Sequence, residues 1–188
     1  MRSSDKKPKL TSYDDIFSTE ESRQQEHIQW TSLRELHPFK NHPFRVLDDD
    51  RMMETVESVK AYGVLVPIIA RPSEDGYEIV SGHRRKRACE LAGLDEIPVI
   101  VRNLDDDEAV IIMVDINLQR ENILPSERAK AYQMKLEAIK RQTARGRPVG
   151  DNSRQVGENY SVSKVAEDLG ESERQVQRFI RLNQLGKE

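Results

Sequence analysis

Residues 79–93 read IVSGHRRKRACELAG. Gly82 is followed by His83, Arg84, Arg85, Lys86 and Arg87, and then by the small and apolar residues of a buried helix. A strand that passes through glycine into a helix presents unpaired backbone N–H groups and the positive end of the helix dipole. Further cations at that end oppose the dipole. The arrangement makes sense if an anion sits there, because Gly82 lets a phosphate approach the backbone and arginine forks onto phosphate oxygens. A second reading has the basic side chains pairing with the acidic runs at Asp48–Asp50 or Asp105–Glu108, and spacing does not choose between them. The stretch is neither a Walker A loop nor GxGxxG.

Two further clusters carry chemistry. NLQREN, residues 117–122, follows a strongly apolar stretch. Asn117 and Arg120 either face a ligand or satisfy the carbonyls at a helix end. Residues 163–186 read SKVAEDLGESERQVQRFIRLNQLG. Val165, Ala166 and Leu169 give a short helix one apolar face, Gly170 makes a turn, and Ser172 with Gln175 forms a capping box. In the helix that follows, Val176, Phe179, Ile180 and Asn183 share one side, while Arg174, Gln177, Arg178 and Arg181 share the other. That is the helix-turn-helix pattern, with arginine and glutamine placed to reach base edges or phosphate. The plainer reading is a helical hairpin with a solvated charged face. The glycine, the cap and the sorted face together favour DNA. Arg141, Arg145, Arg147 and Arg154, in or beside the preceding loop, are candidates for extra phosphate contacts.

The elements that must hold these residues follow from periodicity. Residues 1–24 are polar and aperiodic, a flexible tail. Residues 28–39 read as a strand and a loop, and HPFKNHPFR (37–45) has two prolines that exclude a continuous element. Residues 48–63 form a helix with Met52, Val56 and Val59 on one face and Gly63 as its stop. VLVPIIAR is a buried strand whose Pro67 implies an edge or a bulge. SEDG (73–76) turns into a second strand at 77–81. The basic helix ends at Gly93, a strand occupies 97–102, and a helix with an acidic first turn spans 104–119. Beyond that only helices are expected: 124–142, with Ala129, Tyr132, Leu136 and Ile139 at helical spacing, then a loop over 143–161 and two more. The fold class is α+β: a mixed α/β unit over residues 25–121, followed by an all-helical unit over 122–188 with the helix-turn-helix at 163–185.

Bulk properties narrow the function classes. The chain has 188 residues, 36% hydrophobic and 34% charged. Its longest apolar run, Val64 to Ala70, is too short to span a bilayer, and no signal peptide is visible at the N-terminus. A lone cysteine, Cys89, excludes an internal disulfide, and a cytoplasmic protein with no membrane attachment is the expectation. The net charge of −3 hides an asymmetry: residues 120–188 hold 14 Lys and Arg against 10 Asp and Glu. A basic C-terminal part beside an acidic N-terminal one implies different partners for the two.

The order of these pieces resembles the ParB family of bacterial partition proteins. That family has a proline-rich segment with a following arginine (here HPFKNHPFR), a G-x-L-x-P strand (GVLVP), a GERRxRA motif (GHRRKRACELAG), an ENLQRxxLxPxExA motif (INLQRENILPSERA) and a helix-turn-helix. The resemblance covers about residues 28 to 185. It implies a ParB/sulfiredoxin-like α/β domain with a pocket for CTP and Mg2+. Gly82, His83, Arg84 and Arg85 would stand at the phosphates, Asn117 and Arg120 would complete the pocket with Asn117 at the metal, and Arg45 would lie nearby. It implies DNA contact through Ser172, Arg174, Gln175, Gln177, Arg178 and Arg181, and a short palindromic centromere-like site bound by a homodimer. Nucleotide would close the N-terminal units into a clamp. The implied partner is a ParA-type ATPase and the implied location the nucleoid or a plasmid.

The chain departs from the family pattern at three points. His83 stands where a glutamate is usual, Ile116 replaces the glutamate of ENLQR, and Val66 replaces a glutamine before the proline. Loss of those carboxylates removes metal-binding or water-positioning groups, so at most a weak CTPase is expected. GHRR also resembles the GCHR of sulfiredoxin, but Cys89 falls on the apolar side of the helix and reads as core. Two alternatives stay open: a nucleotide hydrolase, phosphotransferase or nuclease on the same α/β unit, and a helix-turn-helix transcriptional regulator without nucleotide binding.

Overall fold

The computed structural model describes residues 28–119, 123–146 and 158–185. The tail expected at 1–24, the boundary expected between 121 and 122, and Arg120, Arg147 and Arg154 lie outside the described residues.

The α/β unit opens with β1 (Ile28–Ser32), a 3-10 turn (Leu33–Glu35) and β2 (Leu36–His37). Helix α1 (Asp50–Tyr62), β3 (Ile68–Ser73), β4 (Gly76–Ser81), α2 (His83–Ala92), β5 (Glu96–Val101) and α3 (Asp106–Leu118) follow. The sheet order is β1-β5-β3-β4-β2, with β1/β5 and β3/β4 antiparallel and β5/β3 and β4/β2 parallel.

Two expectations are corrected here. Residues 28–39 hold two strands rather than one, because Leu36 and His37 line up beside Tyr77 and Glu78. The strand expected from Val64 starts only at Ile68 and lies at the centre of the sheet, not at an edge. Proline has no N–H for a central ladder, so Pro67 stays outside, and Leu65 and Val66 are left 77% and 62% exposed. A register irregularity does occur, at Ile69/Ala70.

Alternation along the strands sends side chains to two cores. On one face Ile68, Ala70, Ile79, Ile97 and Val99 pack with Met52, Val56 and Val59 of α1 and with Ala88 and Cys89 of α2. On the other, Val80 meets Phe39, Phe44 and Ala109, Met113 and Val114 of α3. Asp49 caps α1 by accepting from Met52 N at 2.9 Å, and Asp105 with Glu108 forms a capping box on α3.

The remaining helices are α4 (Pro125–Ala144), α5 (Glu158–Leu169) and α6 (Glu173–Leu185). Tyr132, Leu136 and Ile139 of α4 bury against Val162, Val165 and Ala166 of α5 and Val176 of α6. Ala131 and Met134 of α4 join the sheet-side core with α3. The apolar surface of α3 is divided too: Ile111 and Leu118 pack toward the helical core. No described helix is long and apolar enough to cross a membrane.

Candidate anion cleft and basic helix face

Helix α2 begins at Gly82, whose backbone is left-handed (φ 109°, ψ 21°). A Cβ there would lie 2.5 Å from Ile68 Cγ2, so both conformation and space demand glycine. No side chain caps this helix start. The basic residues that follow go separate ways. Arg84 reaches Asp49 at 3.0 Å and Arg87 reaches Asp48 at 2.6 Å. Lys86 and Arg87 also pair with Glu90 on their own helix, at 2.9 and 3.3 Å. The hydrogen bond from Arg87 holds Asp48 below the usual carboxylate range, and that from Arg84 does the same for Asp49. The acidic run at Asp48–Asp50 is therefore the counter-charge. The run at Asp105–Glu108 is engaged elsewhere: Asp106 with Arg71 at 2.7 Å, and buried Asp107 with Arg141 at 2.7 Å and Arg145 at 3.1 Å. Arg141 and Arg145, expected as phosphate contacts, thus tie the end of α4 to the start of α3.

Between the starts of α1, α2 and α4 lies an open cleft of about 890 Å³. Arg45, Arg51 and Arg84 supply its positive charge, Asp49, Glu54 and Glu127 its negative charge, and Gln119 lines it beside the end of α3. Glu127 accepts from the backbone N–H of Arg45 at 3.0 Å and from that of Leu124 at 3.3 Å, so it fixes the arginine-bearing loop to α4. Asp49 belongs to the acidic run expected as a counter-charge, whereas Glu127 was no site candidate, although the glutamate that closes LPSE marks a helix start.

Of the other expected residues, Gly82, His83, Arg85 and Asn117 do not line this cleft in the present arrangement. His83 Nε2 accepts the Phe39 N–H at 3.2 Å, and its ring lies 3.9 Å from that of His42. His42 Nδ1 donates to Phe44 O at 2.7 Å. The two histidines thereby shape the proline-rich loop. Arg85 donates to the carbonyls of Val66, at 2.6 Å, and Pro67, and so anchors the segment ahead of β3. Asn117 is buried and donates to Met113 O at 2.7 Å, the i−4 carbonyl of its own helix. Cys89 is wholly buried, and burial pushes its thiol up to about 11, which fits a core residue.

The second site is α6. Ser172 Oγ accepts the Gln175 N–H at 3.3 Å, and Gly170 turns the chain with φ 63°. Val176 is fully buried and Phe179 and Ile180 are partly so. Arg174, Gln177, Arg178 and Arg181 are all exposed on the opposite side, with Leu182 among them. The turn is held from below: Arg128 reaches Glu171 at 3.5 Å and lies over the Phe179 ring, and the buried Tyr132 ring meets Phe179 edge-on at 5.6 Å. Burial and the Glu171 carboxylate raise the Tyr132 phenol above its ordinary range.

Comparison with known proteins gives consistent matches. The family model for the ParB N-terminal domain matches residues 18–118. A probable chromosome 1-partitioning protein ParB of Deinococcus radiodurans is 46% identical over 95 residues, covering 50% of this chain and 33% of that protein. A probable chromosome-partitioning protein ParB of Rickettsia bellii is 31% identical over 172 residues, 92% of this chain and 52% of that protein. The chain therefore spans between a third and a half of these two relatives. Among solved structures, C-terminally truncated ParB from Caulobacter crescentus complexed to the centromeric parS site is 27% identical. It covers 82% of this chain and 71% of that one with a TM-score of 0.55. The same protein complexed with CTP-gamma-S is 28% identical over 83% of this chain and 78% of that one, with a TM-score of 0.47.

Proposed function

The chain belongs to the ParB N-terminal domain family, and from that membership we propose that it is a sequence-specific DNA-binding partition protein gated by CTP. The observation that carries the reading is the sorted surface of α6, where every arginine faces away from a fully buried Val176. A helix presented in this way across a glycine turn fits the major groove of duplex DNA. Arginine and glutamine offer the paired donors that read guanine and adenine edges. The Caulobacter relative, complexed to the centromeric parS site, supports DNA binding.

Nucleotide is assigned to the cleft beside α2. Its volume suits a small ligand, and Arg84 and Arg45 stand on its walls. Arg84 is held by a half-exposed aspartate, a partner that a polyphosphate can replace with stronger, forked hydrogen bonds. Arg84 itself lies in the first turn of α2, the end of a helix whose dipole favours an anion. CTP, when bound, would bring its own phosphate charge, and the protein's part is to orient it with Arg84 and Arg45. The described residues do not form a protein-held Mg2+ site. Among the described residues no group of three His, Cys, Asp or Glu side chains could hold a metal ion, and Asn117 is turned to Met113. Hydrolysis gains no support from His83, whose Nε2 is engaged by a backbone N–H. A homodimeric clamp on a palindromic site, a ParA-type ATPase partner and residence on the nucleoid or a plasmid complete the proposal.

Calorimetric titration with CTP, ATP and GTP in magnesium buffer, on wild type and Arg84→Ala, tests the nucleotide half. Selective CTP binding, weakened at least about tenfold in the variant, is expected for loss of a charge-assisted phosphate contact. A flat titration with all three nucleotides, with duplex DNA present or absent, would leave a DNA-binding regulator without a nucleotide gate.

A further inference from the structure

Lys135, in the middle of α4, is wholly inaccessible to solvent. A buried ammonium is tolerated only while its charge is matched. Its Nζ lies 2.5 Å from Asp115 Oδ1 and 3.0 Å from Asp168 Oδ2. Those two carboxylates come from different places. Asp115 is in the last turn of α3, four residues before Gln119 on the cleft wall. Asp168 is in the last turn of α5, just ahead of the turn that launches α6, and Lys164 holds its other oxygen at 3.2 Å. One buried cation therefore bridges the end of the α/β unit and the first helix of the DNA-binding pair.

The opposite end of the α3–α4 pair is clamped differently. There Asp107 binds Arg141 and Arg145, a contact that joins the start of α3 to the end of α4 and the residue that caps it. Among the ion pairs of the described residues, it is the Lys135 bridge that reaches α5. If the end of α3 shifts when the cleft fills, Lys135 must either follow Asp115 and drag on Asp168, or stay and lose one of two counter-charges. Both outcomes change how α5 and α6 are held. Coupling of this kind is reciprocal, so DNA on α6 must alter nucleotide affinity by the same factor.

We propose that the Asp115–Lys135–Asp168 triad is the element that couples the nucleotide cleft to the DNA-reading helix. The proposal rests on the nucleotide-and-DNA reading given above. The three residues are positioning residues and touch neither ligand.

The test uses the full chain, CTP in magnesium buffer, and a duplex selected by the wild-type protein from a random pool. The ratio of DNA dissociation constants without and with CTP defines the coupling. In the wild type this ratio is expected to differ from one by about tenfold. In Asp115→Asn and Lys135→Met it falls to within about twofold of one, while affinity for CTP alone and for DNA alone stays within about threefold of wild type. Asp115→Glu restores the coupling, which a merely structural loss would not allow. Should Lys135→Met fail to fold, Asp115→Asn decides alone, since it alters a partly exposed carboxylate and leaves Asp168 in place. Folded variants with undiminished coupling overturn the triad and leave the nucleotide and DNA sites standing. A wild type that binds both ligands without coupling overturns it as well. A wild type that binds no CTP removes the reading beneath it, and the wild-type titration alone reveals that.

Discussion

Arg84 and Arg85 are neighbours in sequence with unlike surroundings. Consecutive helical residues point about 100° apart, so Arg84 reaches the cleft and Asp49 while Arg85 folds back onto the carbonyls of Val66 and Pro67. Arg84→Ala should weaken nucleotide binding with little change in stability. Arg85→Ala should instead destabilise by ~1–3 kcal/mol, since it strips two carbonyls of a charged donor. Urea midpoints beside calorimetric affinities separate the two. Gly82→Ala is expected to be worse, because it combines a left-handed backbone with a Cβ 2.5 Å from Ile68 Cγ2. A loss of about 2 kcal/mol or more, read as a lowered urea midpoint, is the expected result. The unusual charge at this helix start was legible from residue types alone. Which acidic run would answer it was not, because Asp48 and Asp105 are both remote in sequence and only the packing of α1 on α2 decides. Asn117 likewise looks polar and available in sequence, but the burial of α3 between two cores turns it inward.

Elements whose identity is local were readable, and those defined by a partner were not. The spacing of Met52, Val56 and Val59, the cap at Ser172 and the split of α6 into apolar and basic sides all follow from a 3.6-residue period. β2 has two residues and exists only because β4 lies beside it. β3 begins later than expected because Pro67, taken as an edge or bulge position inside the strand, stands just ahead of it, and which strands flank β3 is settled only by the packing of the sheet. Buried Lys135 and Asp107 were invisible to the same reasoning, which assigns charge to the surface. The recognition element invites its own experiment. Arg178→Ala should weaken duplex binding by ~1–3 kcal/mol and relax preference at one base pair if the guanidinium reads a base edge. A uniform loss across sequences, with a salt slope reduced by about one, would mark a phosphate contact instead. Circular dichroism at matched temperature should show the helix content unchanged, because Arg178 is exposed.

For the molecule as a whole, ion pairs set the response to acid. Burial works to raise the Asp168 pKa, but the hydrogen bonds and charges of Lys135 and Lys164 outweigh it and hold the group below its ordinary range. Glu90 behaves in the same way under Lys86 and Arg87. A depressed carboxylate contributes stability above its unfolded pKa and loses that contribution as pH falls through the folded value. Stability should therefore be level from about pH 5 to 8 and decline below about pH 4, as followed by urea denaturation across pH. Lys135→Met should soften the decline, since Asp168 then keeps only Lys164. At the alkaline end the sign reverses for Cys89. Its thiol stays protonated in the fold up to about 11, so stability drains away as pH rises past the unfolded thiol value. Helix α4 has a wider consequence. It lends Ala131 to the sheet-side core and Tyr132, Leu136 and Ile139 to the helical one, so it is a party wall rather than a linker. Its central amides should be among the last to exchange with deuterium, and a gene fragment cut just before Pro125 would yield two halves, each missing a side of its own interior.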